Sequence, residues 1–254
     1  MTVKVLNSGS SGNGYVIEQN DEYLLLECGV DTKDFLKAIN FETSKVAGCL
    51  VSHVHNDHSA YVKKYLKYGF PIFASREVSK DISGKSGFKI FGVRRNTSFS
   101  VGNFKAVTFR VPHNETECDG FLISHPGFGK LLFMTDLEYC PYNFAGQKIN
   151  HLMIECNYAK ENVDVNAENY NHVFLGHMEV QTCKQFIRSI LHPGLSTVGL
   201  IHLSRDNINP YAVKLEMEEE FIEQFFWIAD KGTEIILEDK TWQTLKQVNS
   251  QEKW

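Results

Sequence analysis

Six consecutive positions, His53-Val54-His55-Asn56-Asp57-His58, hold three imidazoles and a carboxylate directly behind an apolar, β-branched run. Residues Val46 to Ser52 read as a buried strand, and Ser59 onward, with Val62, Tyr65 and Leu66 at helical spacing, reads as an amphipathic helix. The cluster therefore occupies a strand-to-helix turn. His53 and His55, two residues apart, can face one ion from the strand's end, while Asp57 and His58 open the helix and can face a second. Four donors in six residues do not fit one tetrahedral ion comfortably. Two neighbouring metals are the natural reading, and such pairs suit hydrolysis of phosphate and acyl bonds. The competing reading is a histidine-rich surface turn, for which an H-x-H-x-D-H run behind a strand is an improbable composition.

Three further apolar strands are expected to end at His113, Asp136 and His202. Strand ends gather at one edge of a sheet, so side chains there converge. A lone histidine after a strand is ordinarily a satisfied or exposed one. As a set, these residues complete two coordination spheres: His53, His55 and His113 on one ion, Asp57, His58 and His202 on the other, with Asp136 bridging.

The remaining pattern predicts strands at Val3–Leu6, Tyr15–Glu18 and Tyr23–Glu27, then a short helix at Asp34–Ile39. Strands follow at Pro71–Ala74, Phe88–Phe91, Thr97–Val101, Phe104–Phe109, Gly120–Ser124, Lys130–Met134, His151–Glu155, Thr197–Ile201 and Glu234–Glu238. Helices are expected at Ser75–Ile82, Val180–Leu191 and Tyr211–Phe226, the last acidic and amphipathic. The Gly/Ser run Asn7–Gly14 reads as a flexible hairpin tip, although its free amides could line an anionic site. The polar segment Asn157–Asn171 reads as a loop or lid. This order of elements predicts an α/β (α+β) fold, one domain over residues 1–254 built as an αββα sandwich of two mixed sheets flanked by helices.

The net charge of -5 argues against holding long nucleic acid by electrostatics alone, because that mode needs a basic face. The basic groupings Lys63-Lys64 with Lys67, and Arg94-Arg95, read as a solvated helix face and a loop. The N-terminus enters a strand pattern rather than a leader, and no membrane-length apolar window occurs, so a cytoplasmic protein without a membrane partner is expected. The six cysteines are scattered and read mostly as buried thiols in a reducing compartment.

The motifs resemble the metallo-β-lactamase fold superfamily, in the branch of YycJ-like proteins and ribonuclease Z. The resemblance is carried by Ser8-Gly9-Ser10-Ser11-Gly12-Asn13, Leu24–Gly29, His53–His58, His113, Met134-Thr135-Asp136, Glu155-Cys156-Asn157, Gly176-His177 and His202–Asn207. It implies two zinc ions per chain on the ligands named above, a donor set that manganese or iron also accepts. Two positions depart from the family pattern, Glu27 and Tyr61. The first is expected to alter the support of a ligand and the second to narrow the pocket floor.

Asp57 is expected to orient the attacking oxygen, and His177 resembles the family's histidine near the scissile phosphate, the candidate general acid. Helix capping is its alternative role. His125, His151, His172 and His192 are expected to be structural or exposed. In length and motifs the chain is most similar to the phage anti-Pycsar proteins. That similarity implies a zinc-dependent phosphodiesterase converting 3′,5′-cyclic nucleotides such as cyclic CMP and cyclic UMP to nucleoside monophosphates, degrading an antiphage immune signal. It also implies a phage-encoded homodimer in the host bacterial cytoplasm, with residues Asn157–Asn171 covering a neighbour's pocket. The alternatives are a YycJ-like metal-dependent DNA exonuclease and, from another class, a non-catalytic scaffold.

Overall fold

The computed structural model describes residues 1–164, 166 and 170–237. Strands β1 (Thr2–Asn7), β2 (Gly14–Gln19) and β3 (Glu22–Leu26) form an antiparallel meander. Helix α1 (Thr32–Ala38), capped by the Asp31 carboxylate on Lys33 N–H, carries the chain to β4 (Val46–Leu50), parallel to β3. Two short helices follow, α2 (Asn56–Ser59) and α3 (Val62–Lys67). Strand β5 (Ile72–Ser75), α4 (Arg76–Ser86) and β6 (Phe91–Val93) complete this half. The strand expected at Phe88–Phe91 lies three residues later, because α4 runs on past Ile82 to a left-handed cap at Gly87.

The second half begins with the antiparallel strands β7 (Ser98–Val101), β8 (Phe104–Val111), β9 (Cys118–His125) and β10 (Gly129–Met134). Strand β11 (His151–Glu155) adds in parallel, followed by α5 (Tyr170–Gly176), α6 (Val180–Ile190), β12 (Thr197–Ile201), α7 (Pro210–Glu220), β13 (Phe225–Ile228) and β14 (Glu234–Ile236). The two seven-stranded sheets run β14-β1-β2-β3-β4-β5-β6 and β13-β12-β11-β10-β9-β8-β7.

Strand alternation divides the apolar side chains among three layers. In β3, Leu24 and Leu26 point between the sheets while Tyr23 and Leu25 meet α1, α3 and α4; in β10, Leu131 and Phe133 point between the sheets while Leu132 and Met134 meet α6 and α7. The αββα sandwich read from the sequence is therefore present.

The acidic helix expected over Tyr211–Phe226 is shorter. It begins at Pro210, whose fixed φ suits a first helical position, and stops at Glu220. Phe225-Phe226-Trp227-Ile228 then pairs in parallel with β12. Full burial of Phe226 alone contributes about 2 to 3 kcal/mol, enough to overrule the helical spacing. Leu191, expected on the apolar stripe of α6, is exposed beyond its end. In the segment read as a loop or lid, Lys160–Asn162 makes a 3-10 turn and α5 begins at Tyr170, while residues 165 and 167–169 lie outside the described residues, as does Glu238. All six cysteines are free, and five are buried.

Candidate metal centre

Strands β3, β4, β8, β10, β11 and β12 all end at the same edge of the sandwich. Their directions follow from the parallel pairs β3–β4 and β10–β11–β12 and from two antiparallel steps that restore the direction of β8. Three of these strands terminate in a non-glycine residue with left-handed backbone: Glu27 (φ 69°), Asp136 (φ 50°) and His202 (φ 50°). Such conformations cost energy and persist where the surroundings impose them. Here each turns a polar side chain into one shared space.

Two ligand clusters meet there. In the first, His53 Nε2 lies 3.0 Å from His55 Nδ1, and His113 Nε2 lies 3.2 Å from the same atom. Asp136 Oδ2 faces this group, 3.6 Å from His53 Nε2 and 3.8 Å from His113 Nε2. In the second, His58 Nε2 lies 3.2 Å from Asp57 Oδ2 and 3.2 Å from Asp136 Oδ1, and His202 Nε2 is 3.5 Å from Asp57 Oδ2. The donor atoms of each cluster fall within 4.8 Å of one another. Asp136 thus turns one carboxylate oxygen to each cluster. The seven residues read from the sequence are brought together.

The donor set fits a pair of cations on a further count. His202 Nε2 is buried without a hydrogen-bond partner, while the opposite ring nitrogen of each histidine faces a polar atom. Ser52 Oγ holds His53 Nδ1 at 2.9 Å, Thr116 Oγ1 meets His55 Nε2 at 3.3 Å, and His113 Nδ1–H donates to the Gly176 carbonyl at 2.6 Å. His58 Nδ1 faces Glu27 Oε2 at 3.5 Å, and His202 Nδ1–H donates to Glu155 Oε1 at 2.8 Å. Such partners fix ring orientation and tautomer at metal sites.

Protonation differs between the clusters. Burial, aided by neighbouring histidines, holds His53 below its ordinary range, and burial does the same to His113. Burial also opposes charge on His202, but Asp136, Asp57 and Glu155 outweigh it and push the group up to about 10; Asp136 and Glu27 likewise raise His58. A cation entering the second cluster must displace protons that the first does not carry.

Sequence reasoning missed several supports. Glu155 ends a buried strand, as the ligands do, and the same signal could have marked it. Its Oε1 also accepts from His177 Nδ1 at 2.8 Å, and its Oε2 accepts from Leu137 N–H at 2.9 Å. His177 stacks on His202 with ring centres 5.2 Å apart. Burial opposes a charge on His177, and Glu155 raises it above the ordinary histidine value.

The Gly/Ser run is not a free hairpin tip. Asn13, fully buried, donates from its backbone to Asp57 O at 2.6 Å and from Nδ2 toward His58 Nε2 at 2.9 Å, and Ser8 Oγ accepts the His202 N–H at 2.9 Å. The approach is close enough that a Cβ on Gly29 would lie 1.6 Å from Asp57 O, which only glycine tolerates. Of the two departures, Glu27 is fully buried and accepts the Ser52 N–H at 3.2 Å, so it supports His58 and the strand end together. Tyr61 does not reach the pocket. Its ring packs with the outer helices and under Lys64 Nζ at 4.8 Å.

The other histidines are held elsewhere: His125 Nδ1 accepts from Gly127 N–H, His151 Nδ1 meets Thr197 Oγ1, and His192 Nε2–H donates to Ile149 O. The His172 side chain lies outside the described residues. A cleft of about 730 Å³ opens beside His177 and His202 between the Ser8–Ser11 loop, the Leu203–Asn207 turn, and Asp230 with Lys231. Arg205 pairs with Asp230 at its rim, and Tyr211 OH donates to the same carboxylate at 3.1 Å. Among the described residues no helix is long and apolar enough to cross a membrane.

The sequence profile of the family "Anti-Pycsar protein Apyc1" matches residues 7–68, from the Gly/Ser loop through the H-x-H-x-D-H motif. Exodeoxyribonuclease YycJ of Bacillus anthracis is 23% identical over 243 residues, covering 89% of this chain and 91% of that protein. Among solved structures, the metallo-β-lactamase fold protein YhfI of Bacillus subtilis superposes with a TM-score of 0.70 at 19% identity, covering 92% of this chain and 98% of that one. Human tRNase Z, short form, gives 0.63 at 16% identity, covering 94% and 100%. The fold is the metallo-β-lactamase fold, and the segment that carries the first ligands is similar to the anti-Pycsar family profile.

Proposed function

We infer that this metallo-β-lactamase-fold chain is a two-zinc phosphodiesterase whose substrates are 3′,5′-cyclic nucleotides, opened to nucleoside monophosphates. The observation that carries this reading is the Asp136 carboxylate, with one oxygen toward each histidine cluster and the Glu155–His177 pair beside it. His53, His55, His113 and Asp136 would hold one ion and Asp57, His58, His202 and Asp136 the other. When bound, the pair lowers the pKa of water and neutralises charge developing on phosphoryl oxygens.

The chain's own residues do the rest. Asp57, with its side chain 20% exposed at the edge of the second cluster, is the carboxylate placed to accept a hydrogen bond from the attacking oxygen. Glu155 holds His177 through Nδ1, so proton delivery to the departing ribose oxygen runs through Nε2 of that ring. The Glu155 carboxylate, acting against burial, keeps the proton on the imidazole until the leaving oxygen takes it. The cleft beside His177 has room for one nucleotide, with hydroxyl and amide groups from the Ser8–Ser11 loop and Ser204 on its walls.

Support for the cyclic nucleotide comes from the Apyc1 profile over the ligand-bearing segment. A second reading, a DNA exonuclease, is favoured by the likeness to YycJ over most of both chains. The test is a panel of cyclic CMP, cyclic UMP, cyclic AMP, cyclic GMP and end-labelled DNA, each with the zinc-loaded protein and with His55→Ala. Loss of a cyclic mononucleotide in the wild type alone supports the first reading. Shortening of DNA with cyclic nucleotides untouched replaces it with the second.

A further inference from the structure

The total charge of -5 conceals a partition. Residues 60–95, directly after the ligand motif, contain nine lysines and arginines against Glu77 and Asp81, a surplus of seven positive charges that leaves the remaining chain at -12. The structure gathers this stretch on one flank: α3 and α4 pack side by side over the outer face of the first sheet, and β6 forms that sheet's edge.

One side chain ties the flank to the ligand motif and another ties its elements together. Lys85 Nζ donates to Val54 O at 2.9 Å and to Asn56 Oδ1 at 2.8 Å, within the H-x-H-x-D-H run itself. Lys63 Nζ sits 5.3 Å from the Phe88 ring, joining α3 to the segment after α4. Two cations are neutralised, Lys64 by Asp31 at 2.6 Å and Arg95 by Asp119 at 2.6 Å and Glu117 at 2.7 Å. Lys63 and Lys67 on α3, Lys80 and Lys85 on α4, and Lys89 and Arg94 beyond it are exposed and make no ion pair among the described residues. Of the two acids, Glu77 lies 3.8 Å from Arg95 and Asp81 is exposed on α4.

An exposed ring stands beside these cations. Tyr68, 53% exposed next to Lys67, is stacked on Phe70 at 5.9 Å, a ring fixed from beneath with much of its surface open, whereas Phe91 stacks on Phe73 and lies on the face of the sheet turned away from α4. A row of unpaired cations with a supported ring beside it suits single-stranded nucleic acid: the charges follow the phosphates and the ring takes a base. A membrane surface would ask instead for an apolar stripe between the cations, and the outward faces of α3 and α4 carry none.

We propose that the α3–α4–β6 flank binds single-stranded nucleic acid along a track that ends at the metal centre. The proposal does not depend on which phosphodiester that centre opens. It is tested with metal-free full-length protein, so that nothing is cut, by fluorescence anisotropy of a labelled twenty-nucleotide oligothymidylate across a salt series. The comparison is the combined variant Lys67→Glu, Lys80→Glu, Lys89→Glu, Arg94→Glu, after circular dichroism and zinc uptake show it folded. Wild type should bind at low salt with log K falling against log salt by about 0.7 per phosphate contacted, and the variant should bind at least tenfold more weakly with a shallower slope. A second variant, Tyr68→Ser, should weaken binding with the slope unchanged. Absence of binding at 50 mM salt would overturn the proposal, as would equal binding by the charge-reversed protein. Tighter binding to polyglutamate or to phosphatidylserine vesicles than to the oligonucleotide would assign the flank to an acidic protein or a membrane and equally overturn it. Cyclic-nucleotide turnover, measured separately on zinc-loaded protein, leaves this result untouched in either direction.

Discussion

Glu155 Oε1 accepts the Nδ1–H of His177 at 2.8 Å, and both groups are buried beside a ligand of the second cluster. This contact fixes the tautomer of His177 and aims its other nitrogen, which is what a proton donor to a leaving oxygen needs. Replacement of His177 by Ala should lower kcat by about 10²- to 10⁴-fold while zinc content stays at the wild-type value. A p-nitrophenyl phosphodiester, whose leaving group needs no proton, should lose far less. Equal losses on both substrates would assign His177 a structural role.

Asp136 joins the clusters through its two oxygens. Asp136→Asn keeps the shape and removes the charge. Zinc titration by calorimetry should then show one strong equivalent in place of two, and the rise in Tm that zinc gives the wild type should shrink accordingly. Two equivalents bound with wild-type affinity would mean that Asp136 does not bridge.

Gly29 lies against the backbone of Asp57 and Asn13. Gly29→Ala should therefore push the Gly/Ser loop off the ligand motif. A Tm reduced by several degrees and weakened binding at the second ion are the expected readouts, and an unaltered zinc isotherm would contradict the packing described here.

Asp119 is buried behind the motif, its N–H on Ser52 O. Burial outweighs the attraction of Arg95 and pushes its carboxyl up to about 6. The folded state therefore favours the protonated acid. Its contribution is fully present below the ordinary aspartate value and is lost as the pH rises through about 6. Relative to Asp119→Asn, metal-free wild type should lose about 2 kcal/mol between pH 4 and pH 7. Urea unfolding at both pH values measures it, and a difference that does not change with pH would refute the assignment.

The ligands were legible because each stands at the end of an apolar strand, a position that sequence pattern alone reveals for His53, His113, Asp136 and His202. What supports them was less visible. Ser8, Asn13, Ser52 and Thr116 are small polar residues whose importance comes from contacts across the fold, Ser8 to His202 being 194 positions apart. Strand β13 is not legible because Phe225–Ile228 continues the helical spacing of α7, and only pairing with β12 decides its state. Net charge, for its part, says nothing of arrangement. Summed over the chain it is negative, whereas folding collects the cations of residues 60–95 on one side.

The most direct test of the central claim is a stepwise zinc titration of the metal-free protein with hydrolysis of cyclic CMP and cyclic UMP followed at each step. A centre bridged by Asp136 should show little turnover at the first equivalent and full turnover only as the second is added, and Asp136→Asn should stay inactive throughout. Full activity at one equivalent, or no hydrolysis of either nucleotide at two, would contradict the account.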